Sequence, residues 1–146
     1  MVVGGAALLA ALFLTWSHQF PPSLRSVPAL SVALRGVPPS ATAWQVYSIA
    51  DVLLAVLAAA LVVVALAGHR GARIAVGLAA AVGLAFALHA MSVPPTNGLD
   101  VVNPAMPGRS YIGRAYASAG VGETVAVAGL AIGLVGALLG LRFRRR

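Results

Sequence analysis

Long apolar stretches alternate with polar or proline-rich connections along the chain, and this alternation is its strongest pattern. We place the apolar blocks at residues 2–20, 45–67, 73–91 and 121–141. An α-helix rises about 1.5 Å per residue, so about 20 apolar residues cross a hydrocarbon core about 30 Å thick. The pattern predicts an all-α fold in which residues 1–146 form a single integral membrane domain, a four-helix bundle.

The first block is short for a transmembrane helix. Its continuous apolar run covers residues 2–14, and only an extension to Phe20 gives it the length of a span. A signal peptide is the alternative, but the block lacks a basic segment in front of it and an Ala-x-Ala site behind it. We therefore expect a retained helix, with Trp16 in the headgroup region.

The second block organises the rest of the chain. Its start carries aromatic and polar residues at positions i, i+3, i+4 and i+7, namely Trp44, Tyr47, Ser48 and Asp51. In a continuous helix these positions share one face. Trp and Tyr are enriched at membrane–water interfaces, so Trp16, Trp44 and Tyr47 are predicted interfacial anchors. Asp51 would be a single carboxyl group inside the membrane, followed by an uncharged run to Gly68.

The connections differ in length and composition. A short turn, residues 68–73, joins the second and third blocks and requires them to lie antiparallel. The first long connection, residues 17–42, contains a segment at 26–36 that suits either a short surface helix or an irregular loop. The second, residues 92–118, is rich in Pro, Gly and Asn, which disfavours a further helix.

The charge distribution predicts how the bundle lies in the membrane. Only 9% of the residues are charged, compared with about 25% in soluble domains, and 60% are hydrophobic. The net charge is +7, and most basic residues flank apolar blocks: Arg70, Arg73, Arg142, Arg144, Arg145 and Arg146. Cytoplasmic loops carry an excess of basic residues, so we expect both termini in the cytoplasm and two long extracytoplasmic connections. This placement favours lipid headgroups, and not nucleic acid, as the partner of these arginines.

A few ionisable residues lie inside or beside the outer half of the predicted spans: Asp51, His89, Glu123 and His18. A charged group at the centre of a membrane helix costs about 2.5–3.5 kcal/mol, so an intramembrane acid is a candidate functional group. Asp51 could pair with His89 or a loop arginine and hold the outer connections to the bundle. Alternatively, Asp51, His89 and Glu123 could line a proton or ligand site that opens outward.

A metal site is the third interpretation of these residues. His and acidic side chains are suitable ligands, but no HxxxH or HxxE spacing supports such a site, so we predict no metal. Glu123 also has a structural role available. A carboxylate in the first turn of a helix compensates the positive end of the helix dipole.

Small residues at regular spacing predict where helices pack. The last block carries two GxxxG pairs, formed by Gly129, Gly133, Gly136 and Gly140. Inside a membrane, small residues let helix backbones approach closely, and this approach stabilises association. We expect most of this packing inside the bundle and the remainder against a partner or a second copy.

No motif indicates catalysis. The sequence contains no GxSxG, P-loop, HExxH or Rossmann fingerprint, and without Cys it offers no thiolate chemistry. We therefore predict a non-catalytic membrane protein without cofactors, an accessory, assembly or structural subunit that contacts other membrane-protein chains or itself. The alternative is a small oligomeric transporter or channel subunit that uses Asp51, His89 and Glu123.

Two segments resemble small, uncharacterised four-span membrane proteins of GC-rich bacteria. Those proteins end the first span with Leu-Phe-Leu-x-Trp and start the second with Ala-Trp-x-x-Phe/Tyr-Ser-x-x-Asp. The matching residues here are Trp16 and then Ala43, Trp44, Tyr47, Ser48 and Asp51. Ser17 departs from the aromatic residue that often follows the Trp in those proteins. The resemblance is confined to these two segments. It implies a four-helix fold in the bacterial cytoplasmic membrane and supplies no activity.

Overall fold

Helices account for most of the part of the chain that the structure describes. A computed structural model of the chain describes residues 1–21, 23, 26, 28, 38–47, 49–95 and 117–142. Within these residues the elements follow in the order α1 (Val2–Ala11), β1 (Thr15–His18), β2 (Ser40–Thr42), α2 (Ala43–Val46), α3 (Ala50–Ala67), α4 (Arg70–Ser92), β3 (Ser118–Ala119) and α5 (Val121–Arg142). The predicted outer segment at 26–36 falls largely outside the described residues.

The described part of the chain contains three helices that are long and apolar enough to cross a membrane. They are α3, α4 and α5, with 18, 23 and 22 residues and mean hydropathies of 2.7, 2.1 and 2.3. At about 1.5 Å per residue, even the shortest rises about 27 Å, which approaches the thickness of a hydrocarbon core. The prediction of a membrane protein is confirmed at this level.

The first apolar block differs from the prediction of a helical span over residues 2–20. Helix α1 has only ten residues and ends at Ala11. The chain then forms tighter turns of the 3₁₀ type. Leu12, Phe13 and Leu14 each donate a backbone hydrogen bond to the carbonyl oxygen of the residue three positions earlier. The indole N–H of Trp16 folds back and donates to the Ala11 carbonyl oxygen over 2.7 Å. This bond occupies an acceptor that a longer helix would use, and β1 replaces the second half of the predicted span.

The second apolar block is interrupted near its start. Helix α2 ends at Val46, Tyr47 is extended with φ −117° and ψ 130°, and α3 begins at Ala50. The predicted common helical face of Trp44, Tyr47 and Asp51 is therefore wrong, since that spacing requires an unbroken helix. Ser48, the fourth member of that face, lies outside the described residues. Asp51 lies in the first turn of a helix and not several turns along it.

A small antiparallel sheet of order β2-β1-β3 corrects the prediction of an all-α fold. Ser17 pairs with Ala41 on one side and Ala119 on the other, and His18 pairs with Ser40 and Ser118. The sheet joins the chain just after α1 to the segments that precede α2 and α5. The segment after α4 is attached as well, because the Gln19 side-chain amide donates to the Pro95 carbonyl oxygen over 3.1 Å. We call this end of the molecule the sheet end.

Helix α1 lies between α3 and α5, and α5 also packs along α4. The approach of α1 to α5 is close because both helices present glycine at the contact. A Cβ atom on Gly4 would lie 2.5 Å from the Gly129 carbonyl oxygen and 2.5 Å from the Gly133 nitrogen. Buried leucines of α1, α3 and α5 and of the turn after α1 form the core around this contact: Leu8, Leu12, Leu61 and Leu130. Helices α3 and α4 contact each other far less than the other neighbouring pairs do.

Candidate functional site

Two carboxyl groups are buried at the sheet end. Asp51 and Glu123 are 1% and 0% exposed, and each lies in the first turn of its helix, α3 and α5 respectively. No oxygen of either carboxyl group has a hydrogen-bond partner in the described structure. The Gly120 amide lies close to Glu123, but it donates its hydrogen bond to the Trp16 carbonyl oxygen at 2.6 Å. The positive ends of the two helix dipoles therefore provide only partial compensation for charge here.

Aromatic rings connect the starts of these two helices. The rings of Trp16 and Tyr47 meet edge-on with centroids 5.9 Å apart, and Tyr47 meets Phe86 of α4 at 5.3 Å. Trp16 also covers the start of α5, because a Cβ atom on Gly122 would lie 2.5 Å from the indole Cδ1. The indole thus packs beside Glu123 on one side and against the residue that leads into α3 on the other.

Tyr47 lies within electrostatic range of both carboxyl groups. Burial raises the pKa of Tyr47 to about 12, and any negative charge on Glu123 or Asp51 would act in the same direction. Because a raised pKa favours the protonated form, the phenol keeps its proton at all physiological pH values. Tyr47 is therefore a neutral group within electrostatic reach of both acids. Its predicted role as an interfacial anchor stays a prediction.

The two tryptophans occupy different surroundings. Trp16 is fully buried, so its predicted role as an interfacial anchor is wrong in this structure. Trp44 is 43% exposed and contacts Phe13 with ring centroids 6.0 Å apart. Trp44 keeps the exposure that an interfacial anchor requires.

The two histidines of the predicted cluster do not join the carboxyl groups. His18 is exposed on β1, and His89 is exposed in the last turn of α4. The proposed pairing of Asp51 with His89 is absent from the described structure, since neither Asp51 oxygen has a partner there. Among the described residues, His, Cys, Asp and Glu form no group of three that could hold a metal ion. The loop arginines 109 and 114, the other predicted partners of Asp51, lie outside the described residues.

The predicted glycines of α5 lie at close contacts along the helix. Gly129 contacts the backbone of Gly4 and Leu8 in α1, and Gly133 contacts the side chain of Leu61 in α3. Further along, Gly136 contacts Met1, and Gly140 contacts the guanidinium group of Arg73 in α4. These contacts are all internal to the chain.

Arginines mark the end of the molecule opposite the sheet. Arg70 and Arg73 lie in the first turn of α4, and Arg142 is the last residue of α5. The Arg73 Nη1 atom donates to the Gly140 carbonyl oxygen over 3.2 Å, so this side chain caps the last turn of α5. We call this end the arginine end. The predicted topology residues Arg144, Arg145 and Arg146 lie outside the described residues.

Replacing Arg73 with methionine is expected to lower the free energy of unfolding by about 1.5–3 kcal/mol, because a charge-assisted hydrogen bond to a helix end is lost. Arg70→Met is the matched control. It removes the same charge from the same helix turn, but Arg70 is exposed. Thermal unfolding of both variants in the same detergent tests the difference. An equal loss of stability in the two variants would mean that the loss of charge, and not the loss of the Gly140 hydrogen bond, lowers the free energy of unfolding.

An apolar groove between α3 and α4 was not predicted from the sequence. It has a volume of about 640 Å³ and reaches from Ala50 and Phe86 at the sheet end toward Ala60 and Ala75. Its walls combine small residues with exposed aliphatic ones: Leu53, Val56, Ala79, Val82 and Gly83. Leu53 is 63% exposed and Val82 is 72% exposed. We call this feature the α3–α4 groove.

Comparison with known proteins adds no relationship to these observations. No family model, no curated protein and no solved structure matches the chain.

Proposed function

We propose that this chain is a non-catalytic, multi-pass membrane protein that serves as an accessory, assembly or structural subunit of a membrane complex. The α3–α4 groove is the observation that supports this proposal. Its occupant is a transmembrane helix of another membrane-protein chain.

The groove has the chemistry and the length of a helix-docking site. Apolar burial alone does not drive association in lipid, but small residues that let backbones approach do. Ala60, Ala75 and Ala79 supply such positions on both walls. From Ala50 to Ala60 the α3 wall rises about 15 Å, which is nearly three helical turns. A partner helix that occupied this length would gain close contacts with both α3 and α4.

The other helix pairs of the chain support a partner from outside it. Helices α1 and α5, α1 and α3, and α4 and α5 already meet closely, with Gly4, Gly5 and Gly77 respectively at the contacts. Between α3 and α4, small residues of the described helices line an open groove instead of a close helix contact. A helix from a partner subunit would pack into the α3–α4 groove, as α1 packs against α3 within this chain.

The proposed orientation follows from the charges. We place the arginine end in the cytoplasm of a bacterial cell and the sheet end outside the cytoplasmic membrane, because positive residues are retained on the cytoplasmic side. Met1 contacts Gly136 near the arginine end, so both ends of the described chain would lie inside. The short helix α1 would be the fourth member of the bundle.

Ala79→Phe is expected to abolish partner binding, because the ring fills the groove where the partner backbone would lie. Ala81→Phe is the matched control, since Ala81 is exposed on α4 outside the groove. Native mass spectrometry after gentle extraction from the native membrane measures the complex. We expect a heteromeric complex for the wild type and Ala81→Phe, and none for Ala79→Phe.

A photoreactive amino acid locates the partner directly. Placed at Val82 in the groove, it is expected to cross-link the same chain that native mass spectrometry identifies. Placed at Leu88, which is 51% exposed and outside the groove, it should cross-link lipid. Equal cross-linking of the partner from both positions, or lipid alone from Val82, contradicts the proposal.

A small oligomeric transporter or channel subunit is the second candidate, favoured by the buried Asp51 and Glu123. His89 is exposed and would not contribute to the pathway as the sequence suggests. A homo-oligomer in the same native mass spectra, with no other chain, would replace the accessory role by this one.

A further inference from the structure

Asp51 and Glu123 present an unusual chemical problem within the described structure. Each side chain is at least 99% buried, and none of the four carboxyl oxygens has a hydrogen-bond partner there. An ionised carboxylate in such a place is strongly destabilised unless a cation or several donors compensate it. A protonated carboxyl group carries no net charge and costs much less to bury.

Among the residues that the structure describes, no cation compensates the two carboxyl groups. Element by element, α1 has no titratable side chain, β1 carries the exposed His18, and α4 carries the exposed His89 in its last turn. The phenol of Tyr47 is neutral, as described above. The described arginines lie at the other end of the molecule: Glu123 and Arg142 are separated by 19 residues of α5, or about 28 Å.

Packing limits what else could neutralise the acids. The indole of Trp16 lies against the backbone of Gly122, beside Glu123, and its edge contacts Tyr47. A Cβ atom on Gly120 would meet the carbonyl oxygen of Thr15. A bound proton needs no cavity, whereas a metal ion or an organic cation needs room and further ligands.

We propose that Asp51 and Glu123 form a proton-binding site at the sheet end, in which both carboxyl groups are protonated in the folded protein at neutral pH. The two protons are the ligands of this site, and the burial of both side chains separates them from the aqueous phase. This property goes beyond the accessory role and does not depend on a partner chain. Loss of the α3–α4 partner would leave it unchanged.

Infrared spectroscopy of the protein in liposomes tests the proposal without any reagent that must reach the buried groups. The C=O stretch of a protonated carboxyl group absorbs apart from the bands of an ionised carboxylate. Difference spectra of wild type against Asp51→Asn and against Glu123→Gln are expected to show the loss of one protonated band each. A difference that shows the loss of ionised carboxylate bands overturns the proposal.

Two controls make each outcome decisive. Gln45→Glu adds a carboxyl group at an exposed position of the same end, and at neutral pH it should add only ionised bands. Exchange of choline for sodium at constant pH should leave the protonated bands unchanged. Conversion of these bands to ionised bands by sodium would show a cation site and overturn the assignment.

Stability supplies an independent readout. Asn and Gln are neutral and similar in shape to protonated Asp and Glu, so Asp51→Asn and Glu123→Gln should unfold at the same temperature as the wild type or a higher one. A marked decrease would indicate that the ionised groups stabilise the fold, and would contradict the proposal.

Discussion

Replacing Trp16 with alanine is expected to lower the free energy of unfolding by about 3–5 kcal/mol, because it leaves a large cavity at the sheet end. The indole is fully buried among Tyr47, Gly122 and the end of α1. Its N–H also occupies the Ala11 carbonyl oxygen over 2.7 Å. The substitution therefore removes apolar contacts and a hydrogen bond at the point where the first apolar block turns from helix to strand.

Two further variants separate the contributions at Trp16. Trp16→Phe keeps most of the apolar contact and loses the N–H, while the Ala11 carbonyl oxygen keeps its bond from the Leu14 amide. We therefore expect a loss of about 0.5–1.5 kcal/mol for the missing hydrogen bond. Trp44→Ala is the matched control, because Trp44 is 43% exposed and should matter far less. Thermal unfolding followed by circular dichroism in one detergent compares all variants. An equal effect of Trp44→Ala would contradict a special role for Trp16.

Gly4→Ala is expected to cost about 1–3 kcal/mol of stability, because the added methyl group meets backbone atoms of α5 that no rotamer change can move. The nearest are the Gly129 carbonyl oxygen and the Gly133 nitrogen, both at 2.5 Å. Helix α1 would have to withdraw from α5 along its length. The same unfolding assay measures the loss, and a second effect should accompany it: faster proteolysis near the amino terminus.

Gly71→Ala is the matched control for this prediction. Gly71 also lies near the start of a helix, but a Cβ atom there would have no neighbour within 4 Å. Alanine favours helix over glycine by about 0.5–1 kcal/mol, so this variant should be as stable as the wild type or more stable. If Gly4→Ala behaved like Gly71→Ala, the close approach of α1 and α5 would not exist in the membrane.

The long helices were predictable because their signal is local. In α4 and α5 an uninterrupted apolar run starts or ends at arginine, and the helices begin and end within a few residues of the predicted blocks. The sheet was not predictable in this way. Thr15–His18 forms a strand only because residues 40–42 and 118–119, far away in sequence, pair with it.

The candidate site was predictable only in part. An acid within an apolar block is conspicuous, so Asp51 and Glu123 could be named, but their shared burial depends on how α3 and α5 are placed. The sequence places His18 and His89 at the same depth in the membrane as the two acids. Depth alone does not determine which face of an element a side chain occupies. The burial of Trp16 depends on the missing side chain of Gly122. The α3–α4 groove depends on the crossing of two helices.

The short length of α1 has a consequence for the surrounding lipid. The ten residues of α1 rise only about 15 Å, while α5 rises about 33 Å on another side of the same molecule. Exposed apolar residues on α1 and the turn after it still face outward: Val2, Val3, Leu9, Phe13 and Leu14. Bilayers adapt to a mismatch in apolar length by thinning, at a cost that rises with each ångström. The apolar surface of the described structure is thus shorter beside α1 than beside α5, and we expect a bilayer that matches it to be thinner beside α1.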